Sequence, residues 1–212
     1  MAKQTDRGLE NREIILGVLT EVLEKGSFVH LVLNQALYKY QYLDKADRAF
    51  ITRVTEGTLE YMLQLDGVIN RYSKTKTNKM KPLIRNLLRM SVYQLLYMDR
   101  VPDSAVCNEA VKLAQRKGFY NLKPFVNGVL RTIAREIGDL ELPSREENEV
   151  HYLSVKYSMP EYLVEKWKAA YGVKTTEKIL GDFLTERPIT VRCRTHKASL
   201  REIVTSLKSQ GV

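Results

Sequence analysis

The sequence lacks the groups from which most active sites are built. Its 212 residues include only two cysteines and three histidines, and none of them stands at a metal-ligand spacing. The 11 glycines never occur two positions apart, so no Gly-x-Gly loop for a dinucleotide or adenosyl cofactor is present. A Gly-x-Ser-x-Gly elbow and a glycine-rich phosphate loop ending in Lys-Ser/Thr are also missing. We therefore expect no catalytic, cofactor-binding or metal-binding residue in this chain.

The few reactive residues have simpler interpretations. Cys107 lies in "SAVCNEAV" as a small apolar helix residue, and a disulfide with Cys193 is an open but less favoured alternative. His30 lies within an apolar helix, so we expect a packed and hydrogen-bonded ring. The densest carboxylates, Glu146, Glu147 and Glu149, lie in a polar stretch that we expect to be a solvated loop.

Long apolar runs are absent as well. No stretch approaches the ~20 residues that a membrane span needs, and the polar start "MAKQTDRGLENRE" has no secretory signal. The low cysteine content suits a reducing compartment. These features predict a cytoplasmic protein.

The apolar pattern is helical up to about Gly138 and predicts an all-α bundle of about seven helices with no strand. Asn11 is a candidate cap for the first helix, which Gly26 ends, and Asp44 begins the third. We expect that third helix to break near Leu65–Asp66, and Pro82 to stand in the first turn of a later one.

The composition changes near residue 140 and divides the chain into three parts. Residues 1–140 form the helical domain, 141–150 an acidic linker, and 151–212 a helical connector of three short helices with the start of another subdomain. In that last part, Ile189 to Val191 predicts a strand, and a short amphipathic helix follows. A single strand needs partners for its backbone groups, which this chain does not supply.

The positive charge is unevenly distributed. The net charge is +9, and the stretch from Arg71 to Arg89 contains seven basic residues and no acid. Clustered positive charge is the electrostatic footprint of nucleic-acid binding, although it also occurs on ordinary solvated surfaces. The candidate RNA-binding residues are Arg71, Lys74, Lys76, Lys79, Lys81, Arg85, Arg89, Arg131, Arg135, Arg192 and Arg194.

A stripe on one helix has two interpretations. Arg85, Arg89, Tyr93 and Tyr97 recur at steps of four, an arrangement that suits phosphates and unpaired bases. Alternatively, Tyr93 is a core residue and Arg89 pairs with a carboxylate. We favour this structural interpretation for Tyr93 and Arg89, and RNA contact for Arg85. Arg131 and Arg135, one turn apart on the last helix of the bundle, would extend the same surface.

Three segments resemble the NusB family, an all-α RNA-binding fold, across roughly residues 9–137. They are "DRAFITRVTEGTLEYMLQLDGVI", "LLRMSVYQLLYMDRVPDSAVCNEAVKLA" and "FVNGVLR". Free-standing members are transcription antitermination factors that pair with a small ribosomal protein, and their last helix tends to read Asn-Gly-Val-Leu-Asp. Here Arg131 follows Asn127–Leu130, which resembles the version fused to RsmB-type (Fmu/Sun) ribosomal RNA cytosine methyltransferases.

The remainder of the chain is similar to the segment that precedes the catalytic domain in those enzymes. "YSMPEYLVEKWKAAYG" and the stretch from "ILGDFL" to the end carry this resemblance, with Arg194 where the group commonly has Asn. It implies an inactive N-terminal piece of a longer protein that positions 16S ribosomal RNA, or a precursor of the small subunit, for a missing catalytic domain. We expect S-adenosylmethionine to bind in that catalytic domain and not in this chain. The family's catalytic cysteines follow Thr and Pro, which neither cysteine does. The predicted strand from Ile189 to Val191, which has no partner strand in this chain, would either fray or pair with a second copy in a weak homodimer.

Overall fold

The helices account for most of the chain. The computed structural model describes residues 2–139, 142–185 and 190–210. Residues 2–139 form seven α-helices: α1 (Ala2–Lys25), α2 (Val29–Lys39), α3 (Lys45–Glu60), α4 (Met62–Tyr72), α5 (Pro82–Tyr97), α6 (Asp103–Arg116) and α7 (Lys123–Arg135). Later come α8 (Glu149–Tyr157), α9 (Glu161–Phe183) and α10 (Leu200–Ser209). The predicted helical class is confirmed.

Local signals place several helix ends where the sequence predicted them. Gly26 has a φ of 73° and ends α1, and the amide of Ser27 donates to the carbonyl of Glu21. Asp44 caps α3 by accepting a 2.9 Å hydrogen bond from the amide of Asp47. Pro82 is the first residue of α5. Gly172, with a φ of 74°, breaks α9 into the two predicted pieces.

Two helix boundaries differ from the prediction. α1 begins at Ala2, and Asn11 lies inside it, where its amide donates to Asp47 on α3 at 2.7 Å instead of capping. α3 ends at Glu60, with Tyr61 as its C-cap, whereas Leu65 is fully buried within α4. The apolar spacing continues through this break, so periodicity alone could not locate it.

α5 is the central helix of the bundle. It packs against α1, α3, α4, α6 and α7, and it buries Ile84 and every residue from Asn86 to Leu95. Each large apolar side chain buried in this way stabilises the fold by about 1.5–3 kcal/mol. A helix enclosed on all sides must also satisfy its polar side chains inside the protein.

The tyrosines of α5 belong to the core. Tyr93 is only 1% exposed, which confirms the structural interpretation, and its ring lies directly over Gly57 of α3. The Tyr97 ring packs 4.4 Å from that of Tyr61, and its hydroxyl donates to Gln64. Burial raises the pKa of both Tyr93 and Tyr97 above the ordinary value. These rings are therefore unavailable for stacking on RNA bases.

The helices after the linker form a small core of their own, centred on Leu153, Val164 and Leu180. α8 packs against α4, and two hydrogen bonds join them. The amide of Leu63 donates to the Ser158 hydroxyl, and the Gln64 side chain donates to the carbonyl of Lys156, both at 3.1 Å. The seven-helix bundle and the helices after the linker are thus in direct contact.

The predicted strand does not form in its described part. Thr190 and Val191 have no strand pairing, and Ile189 lies outside the described residues. Without a neighbouring strand, the backbone cannot make a ladder. The amphipathic helix that follows is confirmed as α10, where Ser199 and Glu202 form a capping box and no residue is buried.

The structure also shows the surroundings of the cysteines, His30 and Glu149. Cys107 is buried, and burial raises the pKa of its thiol, which disfavours the reactive thiolate; both cysteines are free. His30, which we expected to be packed, is instead exposed at the second position of α2, with its ring 5.9 Å from that of Phe28. Glu149 is the first residue of α8 and pairs with Arg145 and Lys168, so it is not simply a solvated loop residue.

The close approach of α3 and α5 predicts the effect of one substitution. A Cβ added at Gly57 would lie 2.1 Å from Cζ of the buried Tyr93 ring. We expect Gly57→Ala to destabilise the protein by about 2 kcal/mol and to lower Tm by roughly 5 °C. Gly17→Ala is the matched control because its added Cβ meets nothing within 4 Å. It should stabilise by about 0.5–1 kcal/mol. Equal Tm values for the two variants would contradict the packing described.

Candidate nucleic-acid interface

The connection between α4 and α5 is an ordered loop, here called the lysine loop and defined as residues 73–81. Its Ser73, Thr77 and Met80 side chains are buried. The amide of Thr77 donates to the Asn70 side chain at 2.7 Å, and a single 3-10 turn covers Thr77–Lys79. Polar and apolar anchors therefore fix the loop before any ligand is present.

Its four lysines, Lys74, Lys76, Lys79 and Lys81, all point outward and are exposed. Lys76 donates to the backbone carbonyl of Asn70 at 2.9 Å, and the Lys81 ammonium lies 5.4 Å from the centre of the Phe119 ring. Among the described residues, no carboxylate forms an ion pair with any of these four lysines. Their charge is consequently available to a polyanion.

Arg85 and Arg89 are instead engaged in ion pairs with carboxylates of neighbouring helices. Arg89 binds Asp66 through two hydrogen bonds of 2.6 and 2.7 Å, and its guanidinium also donates to Asn86. Arg85 donates to both carboxylate oxygens of Glu24 at 2.8 and 3.0 Å. The pairing predicted for Arg89 is confirmed. Arg85, favoured as an RNA contact, has its charge offset by Glu24 and is only 20% exposed.

The contacts with Arg85 and Asn86 affect the pKa of the Glu24 carboxylate. Its burial favours the protonated form, but hydrogen bonds from Arg85 and Asn86 outweigh that effect and hold the pKa of Glu24 below its ordinary value. The carboxylate therefore remains charged at neutral pH. A chain of contacts runs from Asp66 through Arg89 and Asn86 to Glu24, and it ties α4, α5 and α1 together.

Arg131 and Arg135 do not extend the lysine loop. Lys81 lies against Phe119, shortly before α7 begins, so the loop is close to the first turn of that helix. Arg131 and Arg135 lie roughly 12 and 18 Å further along the α7 axis. There they line a separate cleft with Cys107 and Asp103 of α6. The single basic surface predicted from the sequence is therefore divided into the lysine loop and the separate cleft that Arg131 and Arg135 line.

The remaining candidates lie elsewhere. Arg71 is exposed in the last turn of α4, next to the lysine loop in sequence. Arg192 and Arg194 are exposed in the segment before α10, and within the described ranges no hydrogen bond joins either of them to the lysine loop. The structure thus places Arg71 and Lys76 in the lining of one cleft, and the other three lysines follow or precede Lys76 in the same loop.

The arrangement also contains a cleft that sequence reasoning missed. It opens between α4, the lysine loop and α8, has a volume of about 580 Å³, and includes Arg71, Lys76 and His151 in its lining. No local pattern marks it, because its walls come from segments separated by the linker. Residues 2–139, 142–185 and 190–210 contain no group of acidic, histidine or cysteine side chains that could hold a metal ion. In the same ranges no helix has the length and apolar character needed to cross a membrane.

Comparison with known families agrees with the helical bundle. Residues 9–135 match the model of the NusB family.

The chain belongs to the NusB family.

A second match covers residues 159–212, which fit the ferredoxin-like domain of RsmF/RsmB-like methyltransferases.

Relatives of two kinds are similar to this NusB-family chain. A probable ribosomal RNA small subunit methyltransferase B from Bacillus subtilis is 34% identical over 95% of the chain and 44% of its own length. One with the same description from Synechocystis is 30% identical over 92% of the chain and 43% of its own length. A transcription antitermination protein NusB from Elusimicrobium minutum is 35% identical, over only 47% of the chain and 74% of its own length. The chain thus spans less than half the length of the two methyltransferase relatives.

Among solved structures, Thermotoga maritima NusB is 28% identical, with a TM-score of 0.55. The similarity covers 60% of this chain and 90% of that one. It corresponds to the bundle without the later helices.

The ion pair at the centre of the NusB-family bundle should carry stability and not RNA affinity. Arg89→Met leaves the Asp66 carboxylate, whose side chain is 18% exposed, without its partner. We expect a loss of about 3 kcal/mol in the free energy of unfolding, measured with urea. Adding Asp66→Leu should recover most of that loss, because both charges are then gone. Lys25→Ala, at a pair whose side chains are 63% and 43% exposed, should cost less than about 1 kcal/mol. A similar cost for Arg89→Met and Lys25→Ala would contradict a structural role for Arg89.

Proposed function

We propose that this chain is the RNA-binding N-terminal region of an S-adenosylmethionine-dependent ribosomal RNA 5-methylcytosine methyltransferase that acts in the cytoplasm. It positions 16S ribosomal RNA, or a precursor of the small subunit, for a catalytic domain outside this chain. The observation that carries the proposal is the ordered lysine loop, whose four cations have no acidic partner among the described residues. The similarity to the methyltransferase B relatives, which extends through nearly the whole chain, supports it.

The physical basis for RNA binding is phosphate neutralisation. Each lysine that contacts a phosphate releases condensed counterions, so affinity depends steeply on salt concentration. Because the loop is already held by Asn70, Thr77 and Met80, little backbone order remains to be gained on binding. Lysine ammonium groups act as point charges and suit phosphates in many orientations. The lysine loop therefore supplies affinity and little sequence preference.

Methyl transfer is assigned to the part of the protein outside this chain. The family's catalytic step needs a cysteine thiolate, and Cys107 is buried with a raised pKa. Cys193 follows Arg192 and does not match the family's catalytic positions. We assign S-adenosylmethionine binding to the same part, because this chain has no Gly-x-Gly loop for an adenosyl cofactor.

A second candidate is a transcription antitermination factor that acts with a small ribosomal protein. The Elusimicrobium relative favours it, and a solved complex of NusB with NusE and double-stranded RNA, 18% identical to this chain, shares the fold. This candidate ranks lower because such relatives match only the bundle. α8, α9 and α10 then have no explanation.

Salt-dependent binding tests the proposal. A filter-binding assay with small-subunit ribosomal RNA fragments at about 50 and 200 mM salt should show a loss of affinity of roughly 50- to 150-fold for four phosphate contacts. Replacing Lys74, Lys76 and Lys79 together by Gln should lower the slope of log K against log salt by about 2–3. An unchanged affinity at the two salt concentrations would contradict the proposal.

The control removes the same number of charges elsewhere. Lys45, Lys112 and Lys166 are exposed and, among the described residues, have no carboxylate partner, so their replacement by Gln matches the change in net charge. Lys168 is unsuitable because it pairs with Glu149 at 2.7 Å. Equal losses for the two triple variants would indicate a diffuse charge effect. Stable capture of the small ribosomal protein in a pull-down, without RNA binding, would favour the second candidate.

A further inference from the structure

The cleft between α4 and α8 has a mixed lining that suits a planar organic group. Val68, Val155, Leu142 and Pro143 provide apolar walls, and Asn70 and Lys76 provide hydrogen-bond donors. Its volume of about 580 Å³ falls within the range of small-ligand sites. Apolar walls with a few polar groups are the usual composition of such sites. The cleft can therefore enclose a group of nucleobase size.

The exposed lysines of the lysine loop, beside the cleft, favour a polyanion at its mouth. Two acids line the cleft: Asp66, whose charge is paired with Arg89 at 2.6 Å, and Glu161, whose carboxylate accepts a 2.6 Å hydrogen bond from the His151 ring. The neighbouring cations Arg71 and Lys76 line the same cleft, and the other loop lysines lie next to Lys76 in the chain. A phosphate backbone on the loop would consequently pass the cleft opening.

His151 offers a planar surface at this opening. Its side chain is 49% exposed, and the contact between its Nδ1 and Glu161 restrains the ring. Together with Arg71, Leu142 and Pro143 it lines both this cleft and an adjoining one of about 600 Å³. Histidine rings and arginine planes are common stacking partners for unstacked RNA bases.

We propose that this cleft binds one unpaired nucleotide of the RNA, with its base stacked on His151 and its flanking phosphates on the lysine loop. The inference rests on the proposed function and adds the kind of RNA that is preferred. A base inside a helix has both faces covered, so it can enter the cleft only from a bulge, a loop or a single strand. The loop then supplies affinity, and the cleft supplies selectivity for unpaired nucleotides.

Three RNA hairpins test this proposal with the full 212-residue chain. They share one stem, which is fully paired, or carries one bulged uridine, or carries one bulged abasic site. Fluorescence anisotropy at constant salt should give about tenfold tighter binding of the uridine bulge than of the other two. The abasic hairpin keeps the bent backbone and lacks the base, so it separates base binding from RNA flexibility.

Variants at His151 identify the stacking surface. His151→Ala should remove the preference for the uridine bulge, whereas His151→Phe, which retains a flat ring, should keep most of it. The double Gln variant of Lys74 and Lys79, which do not line the cleft, should weaken the binding of all three hairpins by a similar factor and leave the preference intact. Thermal unfolding of each variant checks that the fold is retained.

Two results would overturn the proposal. The first is equal affinity of the unaltered chain for the uridine bulge and the abasic bulge, which requires no variant. The second is a preference that survives His151→Ala. Either can occur while salt-dependent RNA binding persists, and the proposed function then stands alone. If none of the three hairpins is bound in a salt-dependent manner, both this proposal and the proposed function are refuted.

Discussion

The bidentate contact between Arg89 and Asp66 is the interaction on which the arrangement of the bundle depends. α5 is enclosed by five other helices, so a guanidinium at its centre needs a partner within the protein. Asp66 supplies it from α4, and Asn86 and Glu24 carry the chain of contacts on to α1. The same contact shapes the surface charge, since it turns one cation of the basic stretch inward. The stretch is thus divided into an internal part and the exposed lysine loop.

Sequence patterns predicted the elements of the fold better than the relations between them. Seven helices, the stop at Gly26 and the break at Gly172 follow from spacing and glycine, which act over a few residues. The partner of Arg85 is 61 positions away and that of Arg89 is 23 away, and charge spacing along one helix contains no information about either. Arg131 and Arg135 share the polar face of α7, yet only the packing of the helices reveals that they lie far from the loop. The cleft escaped prediction because no single segment forms it.

The NusB-family bundle and the helices that follow it meet at the surface that we propose for RNA. The lysine loop belongs to the bundle, whereas His151 and Pro143 belong to the later part of the chain. Phosphate contacts are insensitive to sequence, and a cleft with a stacking ring distinguishes paired from unpaired nucleotides. α8 packs on α4 through Val155 against Gly67 and through the hydrogen bonds of Leu63 and Gln64, and this packing forms the cleft.

The hydrogen bond between Leu63 and Ser158 bears on how this protein can be divided for experiments. The first turn of a helix leaves amide groups that need acceptors, and one such amide of α4 finds its acceptor 95 positions away, on a residue held at a φ of 51°. A fragment cut at the apparent linker would keep every bundle helix and still lose this acceptor, together with the side chain of Val155 that packs against Gly67. The smallest faithful fragment of the bundle therefore extends through Ser158, well beyond the last helix that the family match includes.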